Sequence, residues 1–226
     1  MKSAFKLLLV SVWLVGFRSS AVAQPSTAEQ NPSVTVPTNI HQLFVDDQAE
    51  RNVRGFTPKY ASDVRSRDAV RRAEARKLLA AGELKSAQDF HDAAFIFQHG
   101  SDPDDYLLAH ILAIDAIVKG DASSRWIAAA TLDRYLQAIG QKQVFGTQYL
   151  NKGFLYLLQH KDDPNAAKSA EAQQKGMTQE PYDRTLVSDA LRSEFNVPDQ
   201  AAQATKLIEM NADKPSTGGP PPASSH

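Results

Sequence analysis

The sequence predicts a mainly helical fold, built of stacked antiparallel helical hairpins with one small β-hairpin. Three observations carry that expectation. Apolar residues recur at helical spacing through residues 62–139, glycines stop the pattern at Gly82, Gly100, Gly120 and Gly140, and only residues 143–158 read as extended. The chain has 226 residues and no cysteine, so neither disulfides nor thiolate chemistry is available and the fold must rest on its core.

Residues 1–23 read as a secretory signal peptide. Lys2 and Lys6 give a positive start, Leu7 to Phe17 an apolar core, and Ala21-Val22-Ala23 a small-residue cleavage pattern. The apolar run is too short to span a bilayer, which needs about 20 residues, and nothing later in the chain is apolar enough. Cleavage removes Lys2, Lys6 and Arg18 and no acid, taking the formal net charge from -1 to -4. Such a charge offers no field for nucleic acid. The expected localisation is periplasmic or secreted.

Residues 24–39 form a polar, Pro-containing linker, and 40–211 a single mainly helical domain. Ile40, Leu43 and Phe44 open a short helix that carries Asp47, Gln48 and Arg51; Asp47 and Arg51, four apart, are expected to make a surface ion pair. The helix over 62–81 carries Arg65, Arg67, Arg71, Arg72, Arg76 and Lys77. Asp63–Arg67 and Asp68–Arg72 lie at pairing distance along it and no aromatic residue is interleaved, so it reads as a solvated face.

Ser86 with Asp89 forms a capping box, followed by the stripe Phe90, Ala93, Ala94, Phe97 and a stop at Gly100. Asp102 as N-cap and Pro103 at the first turn start the next helix. Leu107, Leu108, Ile111, Leu112, Ile114, Ile117 and Val118 wrap its circumference and predict a central, buried helix. His110, inside that run, needs a hydrogen-bond partner. A third helix from residues 121–124 to Gly140 turns Ala128, Leu132, Tyr135 and Ile139 inward, and Asp133 and Arg134 interrupt it.

Phe90, Ala94 and Phe97 fall opposite Ala128, Leu132 and Tyr135 in a faint internal echo, similar to tetratricopeptide or Sel1-like repeats. Residues 143–148 and 154–158 read as strands of a hairpin around Asn151-Lys152-Gly153. Two helices follow, over 183–195 and 199–211, separated by Val197-Pro198. Residues 212–226, rich in Pro, Gly and Ser, form a tail expected to be disordered.

Asp47-Gln48-x-x-Arg51, Phe97-Gln98-His99-Gly100, Asp133-Arg134 and Gln143-x-Phe145-Gly146-Thr147-Gln148 together resemble an uncharacterised bacterial family, a domain of unknown function. Pro181-Tyr182-Asp183 and Val197-Pro198 are similar to its C-terminal pattern, and the resemblance covers about residues 40–200. It implies a mainly helical, often exported protein with no established activity, substrate or cofactor.

These motifs nominate a polar site of Asp47, Gln48, Arg51, Gln98, His99, His110, Asp133, Arg134, Gln143, Thr147 and Gln148. No metal site is signalled, since His91 and His99 do not share helical spacing and no His-Glu-x-x-His motif occurs. There is no Gly-x-Ser-x-Gly turn and no Gly-rich phosphate loop, and no cofactor is implied. The expected function is a non-catalytic module that binds a protein or peptide partner. The alternative is a small hydrolase-like enzyme with His99 or His110 as base and Asp133 orienting it. Asp133 is expected to pair with a cation, in one network with His99, Arg134 and Gln148.

Overall fold

Capping side chains set most of the helix starts among the described residues. The computed structural model describes residues 39–51, 58–160, 163–165 and 176–212, all within one unit, Val36–His226. The expected signal peptide, the expected linker up to residue 38 and the expected tail beyond Ala212 lie outside the described residues. The elements are α1 (Ile40–Arg51), α2 (Pro58–Ala80), α3 (Ala87–Phe97), α4 (Pro103–Val118), α5 (Arg125–Ala138), β1 (Leu150–Asn151), α6 (Lys152–Gln159), β2 (Met177–Thr178), α7 (Asp189–Glu194) and α8 (Gln200–Asn211). Among the described residues no helix is long and apolar enough to cross a membrane.

The capping box at Ser86 and Asp89 forms as expected, and Asp102 caps α4 with Pro103 in its first turn. The helix stop at Gly120 adopts a positive φ of 104°. Gly100 serves a different need: a Cβ there would run into the side chain of Asp105, so the glycine permits close approach and not a left-handed turn.

The main core joins α1 to α5 through Leu43, Leu78, Ile96, Phe97, Leu112 and Ile127, with α4 packed on both α3 and α5. That core fills only part of α4's circumference, which corrects the expectation of a buried helix. Ile111 is 54% exposed and Val118 78%. A second apolar cluster gathers Ala129, Val144, Phe145, Val187 and Val197, with Leu132, Leu136 and Phe195 against it. Ile139, expected inward, is exposed.

The small antiparallel sheet exists, but from other residues than expected. Leu150 pairs with Thr178 and Asn151 with Met177. Residues 154–158 lie in α6, where the Asn151 side chain accepts from Gly153 N at the helix start. A short apolar run fits either state, and a cap at its start favours the helix. Residues 143–148 are not a strand; Gln143 makes one parallel bridge to Tyr182. The helix expected over 183–195 shrinks to α7, because Asp183 holds Thr185 N and Leu186 N in a turn and Ser188 caps the helix later.

Candidate functional site

The polar residues on α1, α2 and the end of α3 form the first half of the site. Asp47 is 1% exposed, so its pair with Arg51 at 3.2 Å is buried and not a surface ion pair. Gln48 Nε2 donates to Asp47 at 2.8 Å. Arg51 also forks onto both oxygens of Asp68 at 3.1 Å and donates through Nε to His99 Nε2 at 2.7 Å. Arg71 bridges Asp68 at 3.0 Å and Glu50 at 2.8 Å.

The basic helix α2 is therefore not simply a solvated face. Arg67 pairs with Glu50, Arg72 reaches Asp105 at 3.2 Å and the His99 carbonyl at 2.6 Å, and Arg76 also holds Asp105. The expected pairs along the helix do not form. Asp63 binds Lys59, and Asp68 binds Arg51 and Arg71. Glu50 on α1 and Asp105 on α4 claim Arg67 and Arg72 because those acids are largely buried, where a charge must be paired.

His99 and Asp47 are the groups of this cluster displaced furthest from their ordinary ranges. Burial, then the Arg51, Arg134, Arg72 and Arg71 guanidiniums, lower His99 to about 2. The imidazole is neutral, with its Nε2 lone pair taken by Arg51 Nε. Burial raises Asp47 to about 6, against the opposing pull of Arg51. For His99, folding stability is present above its ordinary value of 6.5 and lost as pH falls toward 2. For Asp47, stability is present below 3.8 and lost as pH rises through about 6.

Between about pH 4 and 6 the two slopes oppose, each worth about 1.4 kcal/mol per pH unit at most. Urea unfolding across that window is expected to give opposite stability differences for two variants. His99→Gln should gain relative to the wild type as pH falls, and Asp47→Asn should gain as pH rises. Difference profiles of the same sign would refute this coupling.

The second half of the site is built around residues 143–148. Asp133 is 0% exposed and has no cation among the described residues, correcting the expected ion pair. Its Oδ1 accepts from Val144 N at 2.8 Å and Phe145 N at 3.0 Å, and its Oδ2 from Thr147 N at 2.9 Å and Thr147 Oγ1 at 2.8 Å. Backbone amides do here what a cation was expected to do.

Gln143, fully buried, accepts from Gln148 N and donates to the Gln148 and Gln179 carbonyls. Gln148 Nε2 binds Ala130 O and Thr147 Oγ1, and its Oε1 accepts from Arg134 Nε at 3.0 Å. Arg134 Nη1 donates to Gln98 O at 2.5 Å. Asp133, Thr147, Gln148 and Arg134 are thus directly connected, and His99 joins only through its neighbour's carbonyl. His110 stands apart, its Nδ1 2.9 Å from Ala128 O.

Sequence reasoning missed the other side of the same segment. Arg192, 0% exposed, donates to Phe145 O and Val144 O at 3.2 Å and to Val187 O at 2.5 Å. Phe145 O also accepts from Gln203 Nε2 at 2.9 Å and Tyr182 OH at 3.2 Å, while Gln179 Nε2 binds Gly146 O at 2.7 Å. Gly146 has φ 81°, and a Cβ on it would meet the Tyr182 hydroxyl at 2.6 Å, so only glycine fits. Pro181-Tyr182-Asp183 was a visible signal; Arg192 and Gln203 looked like ordinary surface residues of helices.

Arg134 opens onto a cleft of about 550 Å³ between the start of α4, the end of α5 and residues 148–150. Gln148 lines it as well, whereas Asp47, His99 and Asp133 do not. Among the described residues no group of three or more His, Asp or Glu side chains is placed to hold a metal ion. Comparison with protein-family models, with curated proteins and with solved structures finds no match.

Proposed function

We propose that this chain is an exported, non-catalytic binding module, and that its ligand sits in the cleft beside Arg134. The observation that carries the reading is the division of labour among the polar residues. Asp133, Gln143 and Thr147 are occupied in holding backbone, His99 has its lone pair engaged by Arg51, and His110 is bonded to Ala128 O and does not line the cleft. A hydrolase would need a base with a free lone pair facing substrate. Arg134 and Gln148, in contrast, face a cleft of the size that takes small ligands or a peptide end.

Export and binding are tested together on protein recovered from the periplasm or medium. Its N-terminal sequence is expected to begin at Gln24, after the Ala-Val-Ala pattern. A fragment library titrated into that protein and followed by amide NMR should shift Tyr106, Gln137 and Tyr149 and leave every fragment chemically unchanged. An intact Met1 end, shifts only elsewhere, or turnover of a fragment would each overturn the corresponding part of the proposal.

A further inference from the structure

We infer that the cleft beside Arg134 is a carboxylate-binding site, taking a monoanionic organic acid or the C-terminal carboxylate of a peptide with an apolar body. This rests on the reading of that cleft as the ligand seat and names the chemistry it selects.

The guanidinium is the starting point. Arg134 uses Nε for Gln148 and Nη1 for the Gln98 carbonyl, both neutral acceptors. Its Nη2 has no hydrogen bond and no carboxylate pairs with it among the described residues. Every other arginine in this part of the molecule is matched: Arg51, Arg71, Arg72 and Arg76 each reach an acid. A partly buried guanidinium held by neutral groups alone lacks its countercharge, and the cleft is the open route to it. Consistently, burial and the nearby Arg51 lower its basicity, and only Tyr106 opposes them.

A second, independent observation lies one turn along α5. Gln137 lines the same cleft, and its Nε2 is shut off from solvent with no hydrogen-bond acceptor. Buried donors without partners are rare and mark a missing ligand or water. Residues three apart on a helix share a face. A rotation of the Gln137 amide into the cleft that both residues line would set it beside Arg134 Nη2 as a second unused donor, and the two would suit the two oxygens of a carboxylate.

The walls choose among anions. Pro103, Tyr106, Ala138, Tyr149 and Leu150 give the cleft apolar surface for an organic body. Asp102 lies on the α4 side, where it accepts from Asp105 N as the helix cap. One cation against one acid in the same cleft disfavours dianions such as phosphate esters or dicarboxylates. It favours a ligand whose far end is neutral or donates a hydrogen bond.

The test is a calorimetric and NMR titration of the full mature chain with defined probes. These are 3-phenylpropanoate, N-acetyl-phenylalanine, a short peptide ending in phenylalanine, the amide-capped form of each, and inorganic phosphate. The carboxylates are expected to bind at least about tenfold more tightly than their amides, since a charge-assisted pair is worth about 1.4 kcal/mol or more. Phosphate should not compete. Gln137→Leu, which removes no existing hydrogen bond, should weaken carboxylate binding several-fold with the melting temperature kept. Arg134→Gln should erase the preference over amides.

The peptide and the free acids show which source is preferred. Equal binding of acid and amide would overturn the carboxylate assignment and leave the ligand seat standing. Equal binding of phosphate would overturn it too, as general anion attraction. No probe binding, with other fragments still shifting Tyr106 and Tyr149, would remove the carboxylate claim alone. If no fragment shifts the cleft either, both readings fall.

Discussion

Asp133→Ala is expected to lower unfolding free energy by about 3–5 kcal/mol, a large share of the 5–15 kcal/mol typical of a domain. The carboxylate is fully buried and accepts from Val144 N, Phe145 N, Thr147 N and the Thr147 hydroxyl. Alanine leaves those donors without acceptors in a site water does not reach. A charged acceptor is worth about 1.5–3 kcal/mol for each hydrogen bond, although bonds sharing one group do not add fully. Asp133→Asn should recover little, because its amide nitrogen turns a donor toward other donors. Urea unfolding at neutral pH measures the loss. A change below about 1 kcal/mol, or a raised melting temperature, would contradict the structural role and return Asp133 to the list of functional residues.

Arg192→Ala should cost a similar amount, about 3–4 kcal/mol, for a complementary reason. Its guanidinium reaches the carbonyls of Val144, Phe145 and Val187, and its one carboxylate partner, Asp189, is half exposed. Truncation strands Val144 O and Val187 O and empties the volume of a large buried side chain. Phe145 O keeps Gln203 and Tyr182. Arg192→Lys separates charge from shape: an ammonium cannot span three carbonyls as a planar fork does, so most of the loss should persist. Full rescue by lysine would show that charge alone matters. Asp133 and Arg192 grip the amides and carbonyls of the same residues, so the double variant should lose less than the two single losses added.

How much of this was legible in the sequence depends on the range of the interaction. Helix starts at Ser86 and Asp102 follow from side chains three residues from their targets, and both form. Asp133, Thr147 and Gln148 were grouped correctly because a short turn joins the helix to the segment. Their chemistry was misread, since sequence cannot distinguish a guanidinium partner from a row of backbone amides. Arg192 and Gln203 escaped because each is a polar residue in a polar helical stretch, and the Phe145 carbonyl that both reach lies far back in the chain. The arginines of α2 misled in the opposite way. Local spacing offered Asp63 and Asp68 as partners, while Glu50 on α1 and Asp105 on α4 claimed Arg67, Arg72 and Arg76.

The fastening of residues 143–148 also carries an expectation for the order of assembly. Helices α3, α4 and α5 meet their neighbours soon after each is made. The Phe145 carbonyl, by contrast, waits for Arg192 at 47 residues and Gln203 at 58 residues further along. Contacts so distant close late, because the intervening chain must first give up its freedom. A polypeptide still emerging, or one cut short before α7, therefore holds the first apolar cluster without the means to seal the second. Helices α7 and α8 act as the clasp of the molecule: without them the Phe145 carbonyl lacks both Arg192 and Gln203.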